Sequence, residues 1–420
     1  MSRTRDRSRR HDVVLWGATG FTGTLVAEYL VDGLPGSGLR LALGGRDRGK
    51  LEKLRVSLAE QRPEAAELEL VVGDSHDPEA MRTMAASAEV VCTTVGPYAK
   101  HGEELVAACV EEGADYCDLT GETPFIRAMI DRHHERARAD GTRIVHCCGF
   151  DSIPSDLGVL MLHHAMAERF ATVLERVTFE LAGSRGGFSG GTVASLVNVV
   201  EEAASDRKVR RIVTDPYALN PEGERKGPDG PDLAKPRFDS ELGRWTGPFV
   251  MAAINSRVVR RTNALLGWPY GRDFRYREVT GFPPGLKGRA MATAAAAGQG
   301  AFVAALGFGP TRSLLTRTVL PSPGTGPSRE ARERGFFKIR LHARGRAEED
   351  GEAPRLVGRV QGRRDPGYGE TAKMLGESAL CLALDGPDLD TPGGVLTPAA
   401  AMGRTLLDRL RRAGMVFAVE

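Results

Sequence analysis

The feature that most constrains this chain is a turn seven residues long. Gly17-Ala18-Thr19-Gly20-Phe21-Thr22-Gly23 follows the apolar run Val13-Val14-Leu15-Trp16 and precedes Leu25, Val26, Tyr29 and Leu30 at helical spacing. A short buried strand, an abrupt glycine turn and a helix form the opening unit of a parallel sheet that holds a dinucleotide. The first glycine serves the tight turn, the second lets backbone approach a pyrophosphate, and the third lets the helix pack closely. Unpaired N–H groups and the helix dipole then attract the anion. A bare glycine pattern is weak evidence; the strand–turn–helix setting carries this one. Gly17, Thr19, Gly20, Phe21, Thr22 and Gly23 are therefore expected to touch a cofactor.

Beyond the turn, strand and helix signals keep alternating. Apolar runs at residues 39–43, 68–72, 90–95, 116–119 and 143–147 read as strands, with helical patterns between them. The order predicts an α/β fold whose N-terminal part, residues 11–150, is a Rossmann-type doubly wound parallel sheet with right-handed crossovers. A chain of 420 residues exceeds one ordinary core. The remainder reads as an α+β second domain over 151–365, where Phe337, Ile339, Leu341 and Ala343 alternate with Lys338, Arg340, His342 and Arg344 as in a half-buried antiparallel strand. Six prolines between 215 and 248 suggest a mobile loop there. Residues 366–420 are expected to be helices that pack back on the first domain, making the second an insertion. Thr397-Pro398 is a good helix start, and Met402, Leu406 and Leu410 share one face. Residues 1–10, with five arginines, read as a disordered basic arm.

Composition narrows the function. Lys plus Arg number 57 against 55 acids, so nucleic-acid binding is not expected. Six cysteines without a CxxC pair fit a reducing cytoplasm. Residues 290–309 carry no charge, but they are mostly Ala and Gly. That composition suits a buried or surface-lying segment, so membrane contact is expected to be at most peripheral.

The second strand decides which dinucleotide binds. It ends in Gly44-Gly45-Arg46-Asp47-Arg48. An acid there suits the ribose hydroxyls of NAD, whereas a cation suits the extra phosphate of NADP. Arg46 comes first and offers a bidentate fork, so NADP(H) is favoured over NAD(H), with Asp47 keeping the latter open. Asp74 ends the third strand beside the adenine, and Gly96 and Pro97 end the fourth beside the nicotinamide. Other patterns fail on inspection. Gly44 to Lys50 spells GxxxxGK, yet Leu51 replaces the magnesium-binding hydroxyl; His134-Glu135 lacks its second histidine, so no metal site is expected. The GxxGxxG spacing is common in short-chain-type reductases, but no tyrosine has a lysine four residues later, so their usual dyad is absent.

Several segments together resemble the saccharopine dehydrogenase-like oxidoreductases: GATGFTG from Gly17, VGPYAKH from Val95, DLTGE from Asp118 and CGFDSIPSD from Cys148. DPGYGETAKMLGESALCLA from Asp365 and GGVLTPAAAMG from Gly393 are more specifically similar to the actinobacterial trans-acting enoyl reductases. The likeness is weakest between Arg207 and Arg289. It implies a Rossmann domain with an inserted α+β domain, and a partner synthase that carries an acyl or polyketide thioester for lipid biosynthesis. A homodimer is compatible with it.

Reduction of an enoyl thioester needs hydride at the β-carbon, a proton for the α-carbon, and stabilisation of the enolate oxygen. Tyr98, Lys100 and Asp151 are the expected catalytic groups, Tyr98 first, with Ser152 beside them. Each has a plain structural alternative: ring packing for Tyr98, helix capping for Asp151 and Ser152, and a helix start for His101. Gly190-Gly191-Thr192 either meets substrate or caps the next helix. Two rival functions stay open at this point. One is a saccharopine-type reductase joining amino-acid substrates; the other is a non-catalytic dinucleotide-binding or lipid-associated protein.

Overall fold

The computed structural model describes residues 8–187, 189–318, 326–347 and 351–420. The first seven residues of the basic arm lie outside the described residues. At its inner end Arg9 donates to the carbonyls of Ala85, Ala88 and Glu112.

Fourteen strands run along the described chain. The first seven are β1 (His11–Trp16), β2 (Leu41–Gly45), β3 (Glu69–Val72), β4 (Ala88–Thr93), β5 (Asp115–Cys117), β6 (Arg143–Val145) and β7 (Leu174–Arg185). The rest are β8 (Arg237–Asp239), β9 (Arg244–Pro248), β10 (Arg275–Phe282), β11 (Phe336–Gly345), β12 (Arg355–Gly362), β13 (Gly394–Leu396) and β14 (Val416–Val419). They form two sheets of seven, ordered β13-β6-β5-β4-β1-β2-β3 and β14-β12-β11-β7-β10-β9-β8.

Every pairing in the first sheet is parallel. Helices cover both faces of such a sheet, so its central strands are buried at successive positions rather than alternately. β1 and β4 are buried from end to end. The strand order reverses between β1 and β4, and the crevice outside the carboxyl ends at such a reversal is where ligands bind. The second sheet is antiparallel except for the β7–β10 pair. One of its faces is wetter: Phe337, Ile339, Leu341 and Ala343 are buried in β11, while Lys338 and Arg340 are exposed. The fold is thus the expected α/β architecture, a Rossmann-type sheet joined to a second, mostly antiparallel one.

The C-terminal segment ties the sheets together. The buried helix Thr371–Leu384 packs on the helix Phe21–Asp32 and on β1, β4 and β5. β13 then extends the first sheet beside β6. Helix Pro398–Arg412 begins with Thr397 accepting from the Ala400 N–H and buries Met402, Leu406 and Leu410. It packs on Thr371–Leu384 and on Ile153–Phe170, and β14 crosses over to pair with β12. Residues 366–420 therefore serve both sheets rather than the first alone. One further segment differs from the sequence reading. The stretch 215–248, expected as a mobile loop, contributes β8 and β9 and buries Tyr217, Ala218 and Leu219. The uncharged stretch 290–309 lies largely in the helix Gly285–Gly307, which is mostly exposed, the surface-lying one of the two arrangements expected for it.

Candidate active site

The glycine turn sits at the strand reversal and is closed too tightly for side chains. Gly17 has φ +83°, and a Cβ there would stand 2.6 Å from Val95 Cγ2. A Cβ on Gly23 would stand 2.1 Å from the Gly17 carbonyl oxygen, which is backbone and cannot yield. The N–H groups of Gly17 and Ala18 are spent on the Gly44 carbonyl, at 2.9 and 3.0 Å, and Gly20 N–H turns back to the Gly17 carbonyl at 3.0 Å. The helix Phe21–Asp32 then begins at Gly20 with no side-chain cap and no acid in its first turn. Its leading N–H groups lack partners within the helix by construction, so this end suits an anion. Thr19, Phe21 and Thr22 are half-exposed around it. The Phe21 ring packs edge-on against Tyr368, centroids 4.8 Å apart, and lies under the Arg332 guanidinium.

At the end of β2 the two charges contending for the ribose separate. Asp47 turns into the following helix, where its Oδ1 accepts from the Lys50 N–H at 3.0 Å as the N-cap of Arg48–Gln61. Arg46 remains exposed. Asp74 is exposed after β3, with its Oδ1 accepting from the His76 N–H at 2.9 Å. Beneath them Trp16 is buried and donates to Ser75 Oγ at 3.0 Å. A cradle that excludes Cβ atoms, an uncapped helix start and an exposed guanidinium at the β2 end together fit NADP(H).

Gly96 and Pro97 follow β4, Gly96 exposed and Pro97 half-buried, and lead into the short helix Tyr98–His101. Here Tyr98 takes a different position from the expected proton donor. The ring is buried, its hydroxyl donates to the Thr93 carbonyl at 3.3 Å, and the Leu119 N–H donates to that hydroxyl at 3.2 Å. Burial, with Asp118 nearby, raises the phenol well above its usual value. The group is committed inside the fold. Lys100 is exposed two residues on. Sequence reasoning assigned no role to Glu122, although it closes the DLTGE segment. Its carboxylate accepts from the Tyr98 and Ala99 N–H groups at 2.8 and 2.9 Å and from Ser195 Oγ at 2.6 Å. Burial shifts it upward. Glu122 thus ties the loop after β4 to the helix Gly190–Ser205 that follows β7.

That helix begins with Ser189 Oγ accepting from the Thr192 N–H at 2.9 Å, and the Gly190 N–H donates to the Tyr368 hydroxyl at 2.9 Å. The Gly190–Thr192 segment is therefore a helix start.

Asp151 lies in the loop between β6 and the helix Ile153–Phe170, on the carboxyl side of the first sheet. It is half-buried, and among the described residues its carboxylate takes no hydrogen bond. Burial alone pushes it up to about 6. An acid in that range, with one side open, is suited to giving a proton near neutrality. Its neighbour Ser152 is fixed instead. Ser152 Oγ donates to Asn255 Oδ1 at 3.0 Å, and Asn255 Nδ2 donates to Glu278 at 2.9 Å. Glu278 also accepts from Ser155 Oγ at 2.6 Å and from the Tyr276 hydroxyl at 2.7 Å, and burial pushes it up to about 7. This buried network anchors the Asp151 loop to β10 of the second sheet. Among the described residues no cluster of three metal-ligating side chains occurs.

Comparison with known proteins agrees with this geometry. Residues 13–145 match the family described as saccharopine dehydrogenase NADP binding domain. The chain is 42% identical over 429 residues to a trans-acting enoyl reductase of Mycobacterium bovis, covering 97% of each chain. Another protein of that name, from Mycobacterium ulcerans, is 40% identical over 427 residues, again with 97% of each covered. Among solved structures, apo saccharopine dehydrogenase (L-Glu forming) from Saccharomyces cerevisiae aligns with a TM-score of 0.53 over 97% of this chain and 99% of that one. At 14% identity that likeness is one of fold alone. The cofactor of the site is NADP(H).

Proposed function

The chain belongs to the saccharopine dehydrogenase-like oxidoreductases, within their trans-acting enoyl reductase branch, and from that premise we propose that it reduces the α,β-double bond of an acyl or polyketide thioester. The observation that carries this reading is the likeness along the whole length, both sheets included, to proteins named for that reaction. The thioester would arrive on a separate synthase and serve lipid biosynthesis. All six cysteines are free and buried, which suits work in a reducing cytoplasm.

The glycine turn and the segments that follow β4 and β6 would hold NADPH, which when bound would supply the hydride for the β-carbon. The first-turn N–H groups of Phe21–Asp32 would hold the pyrophosphate, and Arg46 the 2′-phosphate. Asp151 gives its proton to the α-carbon as the enolate collapses, then recovers one from water through its open side. Tyr98 and Glu122 act as positioning residues: they fix the backbone after β4 that borders the nicotinamide.

NADPH oxidation measured with a panel of enoyl thioesters of N-acetylcysteamine tests the reaction. Oxidation with formation of the saturated thioester is expected. Oxidation only with a keto acid plus an amino acid would replace the assignment with C–N bond formation. NADPH binding with no oxidation of any substrate would leave a non-catalytic binder.

A further inference from the structure

The segments that follow β2, β3 and β4 come together at the carboxyl edge of the first sheet. The first presents Arg46, the second His76, and the third Lys100 and His101. His101 Nδ1 and His76 Nε2 stand 3.0 Å apart, with the rings edge to face and their centroids 5.0 Å apart. Two ring nitrogens at that distance share one proton, one donating and the other accepting with its lone pair. Around His101, burial is the largest influence and disfavours its charged form; His76, Lys100 and Arg46 add to this, and Asp74 is the acid that opposes them. The cluster thus gathers four groups able to be cationic around a single carboxylate. Such an excess of positive groups, with Arg46, His76 and Lys100 exposed and His101 half-buried, matches a compact dianion.

We propose that the His76–His101 pair forms, with Arg46, the receptor for the 2′-phosphate of NADPH, and takes up a proton when that phosphate binds. The inference rests on the reading of Arg46 as the 2′-phosphate ligand. Its physical basis is linkage. Before binding, burial first and the neighbouring cations second hold His101 below the 6.5 of a free imidazole, which favours its neutral form. A phosphate carrying nearly two negative charges favours the imidazolium. Proton uptake on binding means that affinity rises as pH falls. NADH has no 2′-phosphate and gains nothing. A merely structural staple between the loops after β3 and β4 would instead affect both cofactors alike.

The test is calorimetric binding of NADPH and NADH between about pH 6 and about pH 8, each in two buffers of different ionisation heat to count protons. The proteins are the wild type, His76→Gln, His101→Gln and Arg46→Ala. The wild type is expected to take up as much as about one proton with NADPH and none with NADH. Each histidine variant should lose that uptake and weaken NADPH about fivefold to tenfold, with NADH unmoved. Unchanged proton uptake in both histidine variants would overturn the proposal, as would equal weakening of NADPH and NADH. The arginine arm separates the two readings. If Arg46→Ala keeps the full preference for NADPH, the reading of Arg46 fails; if it loses that preference while the histidine variants keep theirs, only the present proposal fails.

Discussion

Replacing Asp151 by Asn should damage catalysis and strengthen the fold together. The carboxylate is half-buried, takes no hydrogen bond among the described residues, and is shifted from 3.8 to about 6 by burial alone. Near pH 7 the native state therefore holds a charge that would be better solvated in the unfolded chain. The difference of about two pH units, at about 1.4 kcal/mol each, makes this about 3 kcal/mol of destabilisation at most. The sign follows from the raised value. The penalty is absent below about pH 4, grows between about pH 4 and about pH 6, and is complete above that. The amide introduced by Asp151→Asn carries no charge, so the variant should melt a few degrees higher near pH 7 and equal the wild type near pH 4. Catalysis should move the other way. Removing a general acid lowers turnover by about a hundredfold to ten-thousandfold. In the wild type kcat/KM should fall about tenfold per pH unit above about pH 6, and that dependence should vanish in the variant. Thermal melts by circular dichroism and NADPH oxidation across pH measure both halves. A variant that is less stable near pH 7, or that keeps wild-type turnover, would refute the reasoning.

Three further outcomes follow from the same geometry. Gly23→Ala should abolish NADPH binding and cost about 3 kcal/mol, because its Cβ meets the Gly17 carbonyl at 2.1 Å; cofactor titration and denaturant melts read both. Tyr98→Phe should keep turnover within about threefold and lose about 1 to 2 kcal/mol of stability, since its hydroxyl serves Thr93 and Leu119. Asp47→Ala should cost about 1 kcal/mol as a lost helix cap and leave the ratio of NADPH to NADH affinity unchanged, because the carboxylate faces Lys50 rather than the ribose.

Local signals made much of the first sheet legible. Val13 to Gly23 announces strand, turn and helix at once, and the alternation that follows gives β2 to β6 in order. Short or long-range elements were harder. β13 is three residues whose partner β6 lies some 250 positions earlier, and β8 and β9 hide among six prolines, so nothing local marks any of them as strand. The site shows the same division. The glycine cradle is read from spacing, because backbone sterics fix it. Which charge at the β2 end faces the ligand depends on a cap three residues ahead, and only the folded turn shows Asp47 taking it. Tyr98 looked available because it follows Gly96-Pro97, but its hydroxyl is claimed by backbone from β4 and from the loop after β5. Glu122, Ser195 and His76 had no local mark beyond the DLTGE segment, since their partners come from other loops.

The central claim is that NADPH reduces an enoyl thioester here and that Asp151 supplies the proton. One measurement addresses it directly: mass spectrometry and NMR of the product after turnover with NADPH deuterated at the transferred position. The account predicts a saturated thioester with deuterium on the β-carbon and a solvent-derived hydrogen on the α-carbon, formed by the wild type and nearly lost in Asp151→Asn. Deuterium appearing instead in a secondary amine, from a keto acid and an amino acid, would contradict it.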